Sequence, residues 1–388
     1  MVATSLQLPN YQVRNARWAV SAIFLVFGIF TATVSLYIPF IQERFAWGEA
    51  ELGRTLLIGA IASVFGTFSA GWIINQTNSK IVSGVGALLV SGVIPFTLLS
   101  PSPTILVLLL MFQALNGGMT DVAMNTQGAI VERKYGSTIM SSLHGFYSVG
   151  TVVGAGIGWL VSRIGLSLPQ HMLIQTPFLW AIVLVATFHL LPTKETHQQT
   201  KSGLVLKPII IVLGLVTMVG IMAELVAFEW GPVYMRRSLQ SDQRMISLGL
   251  AAVTVFMSVG RLSGDWLVER LNPMRMLLLS GLLILLGMAT TVWGGDERFA
   301  LVGFAITGLG VSNLVPLLLR AGGQVAGDTA VGTVMAIGYL SFLVNPVVMA
   351  VLSELFSLRV AMTSAVVYGV IIVLGSGLLR ERTTSPSK

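Results

Sequence analysis

The 388-residue chain is 54% apolar and only 10% charged, carries a formal net charge of +7 and has no cysteine. Soluble domains carry about 25% charged residues, so an ordinary hydrated surface is excluded, and the missing thiols exclude disulfides, thiol catalysis and cysteine-ligated metal. The basic residues stand singly in short loops rather than in a run, which argues against nucleic acid as a partner and leaves the charge to be read as membrane topology.

A hydrocarbon core of roughly 30 Å needs about 20 apolar residues in helix. On that rule the sequence predicts an all-α membrane protein with spans at 18–40, 51–74, 80–100, 104–131, 137–161, 171–192, 207–235, 243–267, 274–294, 299–320, 329–353 and 359–379. The first stretch, from Trp18 to Phe40, is followed by no small-residue cleavage site and is expected to be a span rather than a leader. The segments are continuously apolar rather than alternating, which argues against a strand barrel. Turn signals separate them: Asn-Gln-Thr-Asn-Ser at 75–79, Ser-Pro-Ser-Pro at 100–103 and Gly-Gly-Asp-Glu at 294–297.

Twelve spans place both termini on one side. With that side cytoplasmic, fourteen of the 23 Lys and Arg fall inside and eight outside, with Arg261 left within a span, as the positive-inside bias requires. The expected location is the cytoplasmic (inner) membrane, with both termini cytoplasmic. The longest loop, 193–206, is polar and falls inside, between a first half at 1–192 and a second at 207–388.

The chain repeats at half its length. Ser69-Ala-Gly-Trp72-Ile-Ile-Asn75-Gln-Thr-Asn78 lies over Ser263-Gly-Asp-Trp266-Leu-Val-Glu269-Arg-Leu-Asn272 at an offset of 194, and Gly145-Phe146 over Gly338-Tyr339 at 193. Two six-helix halves of this kind imply a pseudo-two-fold along the membrane normal with a polar cavity between them, as alternating access requires.

Over nearly its whole length the sequence resembles the major facilitator superfamily. The Trp72 and Trp266 segments look like its signature after span two and the weaker copy after span eight. The second copy keeps an acid and Arg as Glu269-Arg270, whereas the first has Asn75-Gln76. Three further stretches resemble the YbjJ-type and fucose-permease-like branch: Asp121-Val-Ala-Met-Asn125 in span four, Met140-Ser-Ser-Leu-His144-Gly-Phe-Tyr-Ser entering span five, and Glu224-Leu-Val-Ala-Phe-Glu229-Trp230 in span seven. The acid that the fucose-permease group has in span one is missing; Thr31, Thr33, Ser35 and Tyr37 stand there.

Each polar residue at membrane depth has two readings. An ionised group at the bilayer centre costs at least ~2.5–3.5 kcal/mol, so it lines a cavity or pairs. Asp121 and Glu224 lie near the midpoints of spans four and seven, and burial favours the neutral form of an acid, which suits them to carry a proton; either could instead be kept for packing. Asn125, one turn from Asp121, Glu229, Asn313, Asn345 and Tyr37 are candidates for holding a solute. Glu229 could instead pair with Arg236 or Arg237, and the asparagines, followed by Pro316 and Pro346, could repair bent backbone. Arg261, Glu269, Arg270 and His144 are candidates for gating; Arg261 could instead snorkel or pair with Asp265 or Glu269, and His144 could be an ordinary hydrogen-bonding residue. Gly150, Gly154, Gly156 and Gly158 read as a close-packing face, and Trp18, Trp47, Tyr135 and Trp159 as interface anchors.

No P-loop and no metal-spaced His pair is present, so no cofactor, metal or soluble-type catalysis is expected. The expectation is a monomeric, non-enzymatic secondary transporter for a small polar, sugar-like solute, coupled to protons by symport. Its rivals are a proton-antiport exporter of amphipathic compounds and a non-transporting receptor or scaffold.

Overall fold

A computed structural model describes residues 10–136, 139–192 and 205–379, so most of the expected 193–206 loop lies outside the described residues. Twelve helices are long and apolar enough to cross a membrane: α1 (Tyr11–Phe45), α2 (Glu49–Gln76), α3 (Ser79–Leu98), α4 (Pro103–Tyr135), α5 (Ser142–Arg163), α6 (Leu168–His189), α7 (Pro208–Arg237), α8 (Gln243–Gly264), α9 (Arg270–Trp293), α10 (Glu297–Gly327), α11 (Thr329–Leu355) and α12 (Leu358–Gly375). No strand occurs among the described residues.

The turn signals act by capping. Asn78, Ser102 and Asp296, one from each of the three polar clusters, accept a backbone N–H from the first turn of α3, α4 and α10, satisfying donors that a helix start leaves open. The two copies of the repeated segment share this device. Asn78 accepts from the Ile81 N–H at 2.9 Å and Asn272 from the Arg275 N–H at 3.0 Å, so the asparagine that closes each copy starts the helix that follows. Asn272 does so at φ 59°, in the left-handed region that asparagine tolerates better than most residues.

Several helices are interrupted where proline dictates. α10 breaks at Ser312–Asn313, four and three residues before Pro316, and α11 at Leu340, ahead of Pro346. In α7 the residues Val226–Trp230 form a π-turn. It lies just ahead of Pro232, which has no N–H to give to the Phe228 carbonyl four residues earlier.

The chain divides into two compact units, Met1–Val34 with Ile58–Gln198 and Ser35–Leu57 with Gln199–Lys388. In the first, α1 and α5 approach to backbone contact: a Cβ at Gly150 would meet the Leu25 carbonyl at 2.2 Å, and one at Gly154 the Ile29 carbonyl at 2.7 Å. Gly156 faces nothing and takes no part in that face. Gln127, wholly buried, clamps α3 and the end of α6 by donating to Ser79 Oγ and to the Leu191 carbonyl. The second unit holds α7–α12 together with the α1–α2 turn and its flanking helix ends. There Trp47, expected as an interface anchor, is 9% exposed, and its backbone carbonyl accepts from Arg237.

Candidate functional site

The polar residues singled out by the sequence gather in two places, one per unit. In the first unit, α4 presents Asp121 and Asn125 one turn apart on one face. Asn125 Nδ2 donates to the Asp121 backbone carbonyl at 2.9 Å and to Asp121 Oδ1 at 3.2 Å. Both side chains are half-buried. Helix α4 is fixed on either side of the acid: Gly118 lies against the Ser63 carbonyl of α2, and Thr120 against Gly86 of α3.

In the second unit, Glu224 and Arg261, which the sequence offered for separate tasks, form an ion pair between α7 and α8 at 3.6 Å. Asp265 and Glu269 have no side chain among the described residues, so the alternative partners of Arg261 lie outside them. A second contact braces this pair. Asn313 Nδ2 donates to the Gly260 carbonyl at 2.7 Å, while its Oδ1 rests where a Cβ on Gly264 would stand. The two glycines one turn apart on α8 thus form a groove that receives the break in α10, and Arg261 lies between them. Asn313 therefore braces a neighbouring helix.

Glu229 sits in the π-turn of α7, half-buried. In a regular helix a five-residue step from Glu224 turns roughly 140°. A π-turn bonds i to i+5 and widens the turn, which moves Glu229 toward the face of Glu224. The expected alternatives for Glu229 are taken: Arg236 forms a bidentate pair with Glu43, Nη2 to Oε2 at 3.1 Å, and Arg237 pairs with Glu49 at 3.3 Å and donates to the Trp47 carbonyl at 2.7 Å. Tyr37 is buried nearby in sequence to Ser35, whose hydroxyl donates to the Phe228 carbonyl inside the π-turn.

The remaining candidates are dispersed. His144 is exposed on α5, its ring edge against Phe24 with centroids 5.3 Å apart. Arg270 is exposed at the start of α9, and the side chain of Glu269 lies outside the described residues. Asn345 is wholly buried on α11.

Sequence reasoning missed two features. The first is the set of ion pairs joining the α1–α2 turn to the α7–α8 turn. Glu43 and Arg236 are 193 residues apart, the offset of the internal repeat, so opposite charges at equivalent positions were the available signal. The second is a buried chain in the first unit, His171 to Gln175 at 2.6 Å and Gln175 to Thr33 at 3.2 Å. It lies in the wall of an apolar groove lined by Ile157, Ile174 and Phe178.

A family model described as Major Facilitator Superfamily matches residues 19–342. An uncharacterised MFS-type transporter of Yersinia pestis is 29% identical, over 87% of this chain and 89% of the relative. Among solved structures, a mutant of the nucleoside transporter NupG superposes with a TM-score of 0.77 at 12% identity, covering 96% of this chain and all of that one. A mutant of the E. coli fucose:proton symporter FucP superposes at 0.61 and 14% identity, covering 96% and 98%. At such identities these structures speak for the fold alone.

Proposed function

The chain belongs to the Major Facilitator Superfamily, and from that premise we propose that it is a proton-coupled symporter of a small polar, hydroxyl-bearing, sugar-like solute. It works by alternating access in the cytoplasmic membrane, as a monomer with both termini cytoplasmic. The observation that carries the reading is the pair of acid centres inside long apolar helices, Asp121 with Asn125 in α4 and Glu224 with Arg261 between α7 and α8. The fucose:proton symporter among the fold neighbours supports it by analogy.

The proposed division of labour rests on the chemistry of these groups and their partners. Asp121 carries the proton, and its amide neighbour Asn125 offers the solute a donor and an acceptor. Glu224 is the second titrating group. Protonating it removes the charge that faces Arg261, so the ion pair between α7 and α8 weakens and the helices are free to shift. Glu229 and Tyr37 supply further polar contacts to the solute. Asn313 acts one step removed, by fixing the backbone on which Arg261 stands. Arg261, Glu269, Arg270 and His144 form the gating set.

Thermal-shift screening of the purified protein against sugars, nucleosides, organic acids and amphipathic drugs identifies the solute. Uptake into proteoliposomes across an imposed pH gradient then tests the coupling. In Asp121→Asn, gradient-driven uptake should fall at least tenfold while the melting temperature and solute binding stay near wild type, because the amide still hydrogen-bonds and no longer titrates. Wild-type acceleration by the gradient in that variant removes Asp121 from the coupling role. Stabilisation only by amphipathic compounds, with outward movement against protons, would favour the exporter; a bound ligand with no proton movement would favour a receptor.

A further inference from the structure

Among the described residues, eleven buried side-chain polar atoms have no hydrogen-bond partner, and they are not spread evenly. Three belong to adjacent turns of α11, the Ser341 hydroxyl and both amide atoms of Asn345, and a fourth is the Tyr368 hydroxyl of α12, beside Ser364. Ser341 and Asn345 are wholly buried and Tyr368 is 8% exposed. Ser341 and Asn345 are four residues apart and share a face of α11. The register with α12 is set by Ser364, whose hydroxyl donates to Met349 Sδ at 3.7 Å. The two helices are consecutive and antiparallel, so one turn back along α11 and one turn on along α12 places Asn345 at the level of Tyr368. A further acceptor lies on the same turn, since Pro346 has no N–H for the Phe342 carbonyl.

An unpaired buried polar atom costs about 1–3 kcal/mol, and four on adjacent turns cannot be ascribed to a single misfit. The groups are neighbours by register and make no hydrogen bond to one another, and together they offer donors and acceptors on two sides. Buried waters typically make about three hydrogen bonds to otherwise unsatisfied groups. We propose that α11 and α12 bind a water molecule between them, held by Ser341, Asn345 and Tyr368 at the bend that Pro346 imposes. The site is internal to the second unit and does not depend on the transport reading. It gives Asn345 a task other than solute binding.

The test uses the full-length protein in detergent and X-ray radiolytic footprinting, in which the beam splits bound as well as bulk water and so delivers radicals to side chains that bulk solvent cannot reach. Met349, wholly buried and one turn from Asn345, is the reporter; Met288 and Met172, equally buried and on other helices, are the controls. Met349 should oxidise at least tenfold faster than either control in the wild type. In Asn345→Leu and in Tyr368→Phe its rate should fall toward theirs, the second variant serving if the first does not fold. A wild-type Met349 as inert as Met288 overturns the proposal, as does an unchanged Met349 rate in the variants.

Discussion

The acids of α4 and α7 solve the same problem in different ways. Asp121 finds its partner on its own helix, in Asn125 one turn away, so the arrangement survives any movement of α4 as a body. Glu224 finds its partner on another helix, in Arg261 of α8, and the helix that carries it is itself distorted at Val226–Trp230. A proton arriving at Asp121 changes the charge of one turn of helix. A proton arriving at Glu224 changes how two helices hold each other. The first arrangement is confined to one helix, and the second links two.

Three changes would break or sharpen that contrast. The largest effect should come from inserting one alanine after Ala227. The π-turn already takes up one residue beyond regular bonding, so a second would rotate the segment beyond it by about 100° and carry the buried Trp230 and Tyr234 off their packed faces. Transport should be lost and stability should fall by about 3 kcal/mol or more, read as uptake and melting temperature. Deleting Ala227 instead restores regular bonding and keeps those faces in register, so a deletion variant that transports normally would show that the π-turn has no part in the site.

A smaller loss is expected from Ser35→Ala. The Phe228 carbonyl lies in the π-turn, and Ser35 gives it the donor that Pro232 cannot. Removing that hydroxyl should cost about 1 kcal/mol, seen as a lowered melting temperature. A matching change at Ser263, whose hydroxyl donates to carbonyls of its own helix, should leave the melting temperature unmoved. Equal effects at both serines would mean that the distortion supports itself.

The smallest effect sets the two acids directly against each other. Because Glu224 and Arg261 are 27% and 35% exposed, their coupling in a double-mutant cycle should be about 0.5–1 kcal/mol. The Asp121–Asn125 pair, within one helix, should give about 0.2–0.5 kcal/mol. The ordering matters more than the values: a stronger coupling inside α4 than between α7 and α8 would reverse the roles assigned to the two acids.

Much of the fold was legible because its signals are local. Apolar runs gave the twelve spans, and the polar clusters at 75–79, 100–103 and 294–297 each contained the residue that caps the next helix. Pro316 and Pro346 follow helix interruptions that the structure has at Ser312–Asn313 and Leu340. The acids were legible for the same reason, since a charge in an apolar run stands out without knowledge of its neighbours. Partners were not. Arg261 meets Glu224, 37 positions away by number and on another helix, a partner that closeness in sequence does not suggest; the side chains of Asp265 and Glu269 lie outside the described residues. Arg236 and Arg237 were offered to Glu229 on their own helix and went to Glu43 and Glu49. The π-turn has no composition of its own. It became intelligible only once the donor missing at Pro232 and the hydroxyl of Ser35 were seen together.

The contacts between α1 and α7 have one more consequence. Ser35 meets Phe228 and Glu43 meets Arg236, each at a separation of 193 residues, and Pro39 and Pro232 stand at that same separation. Positions equivalent in the repeat therefore touch each other, as residues on a two-fold axis do. Two identical subunits joined this way would set each glutamate against its own copy, and like charges repel. Once both copies reside in one polypeptide they can diverge, and here one has become the acid and the other the base. A self-opposing contact has been turned into an attracting one by a change that no symmetric pair of chains could make.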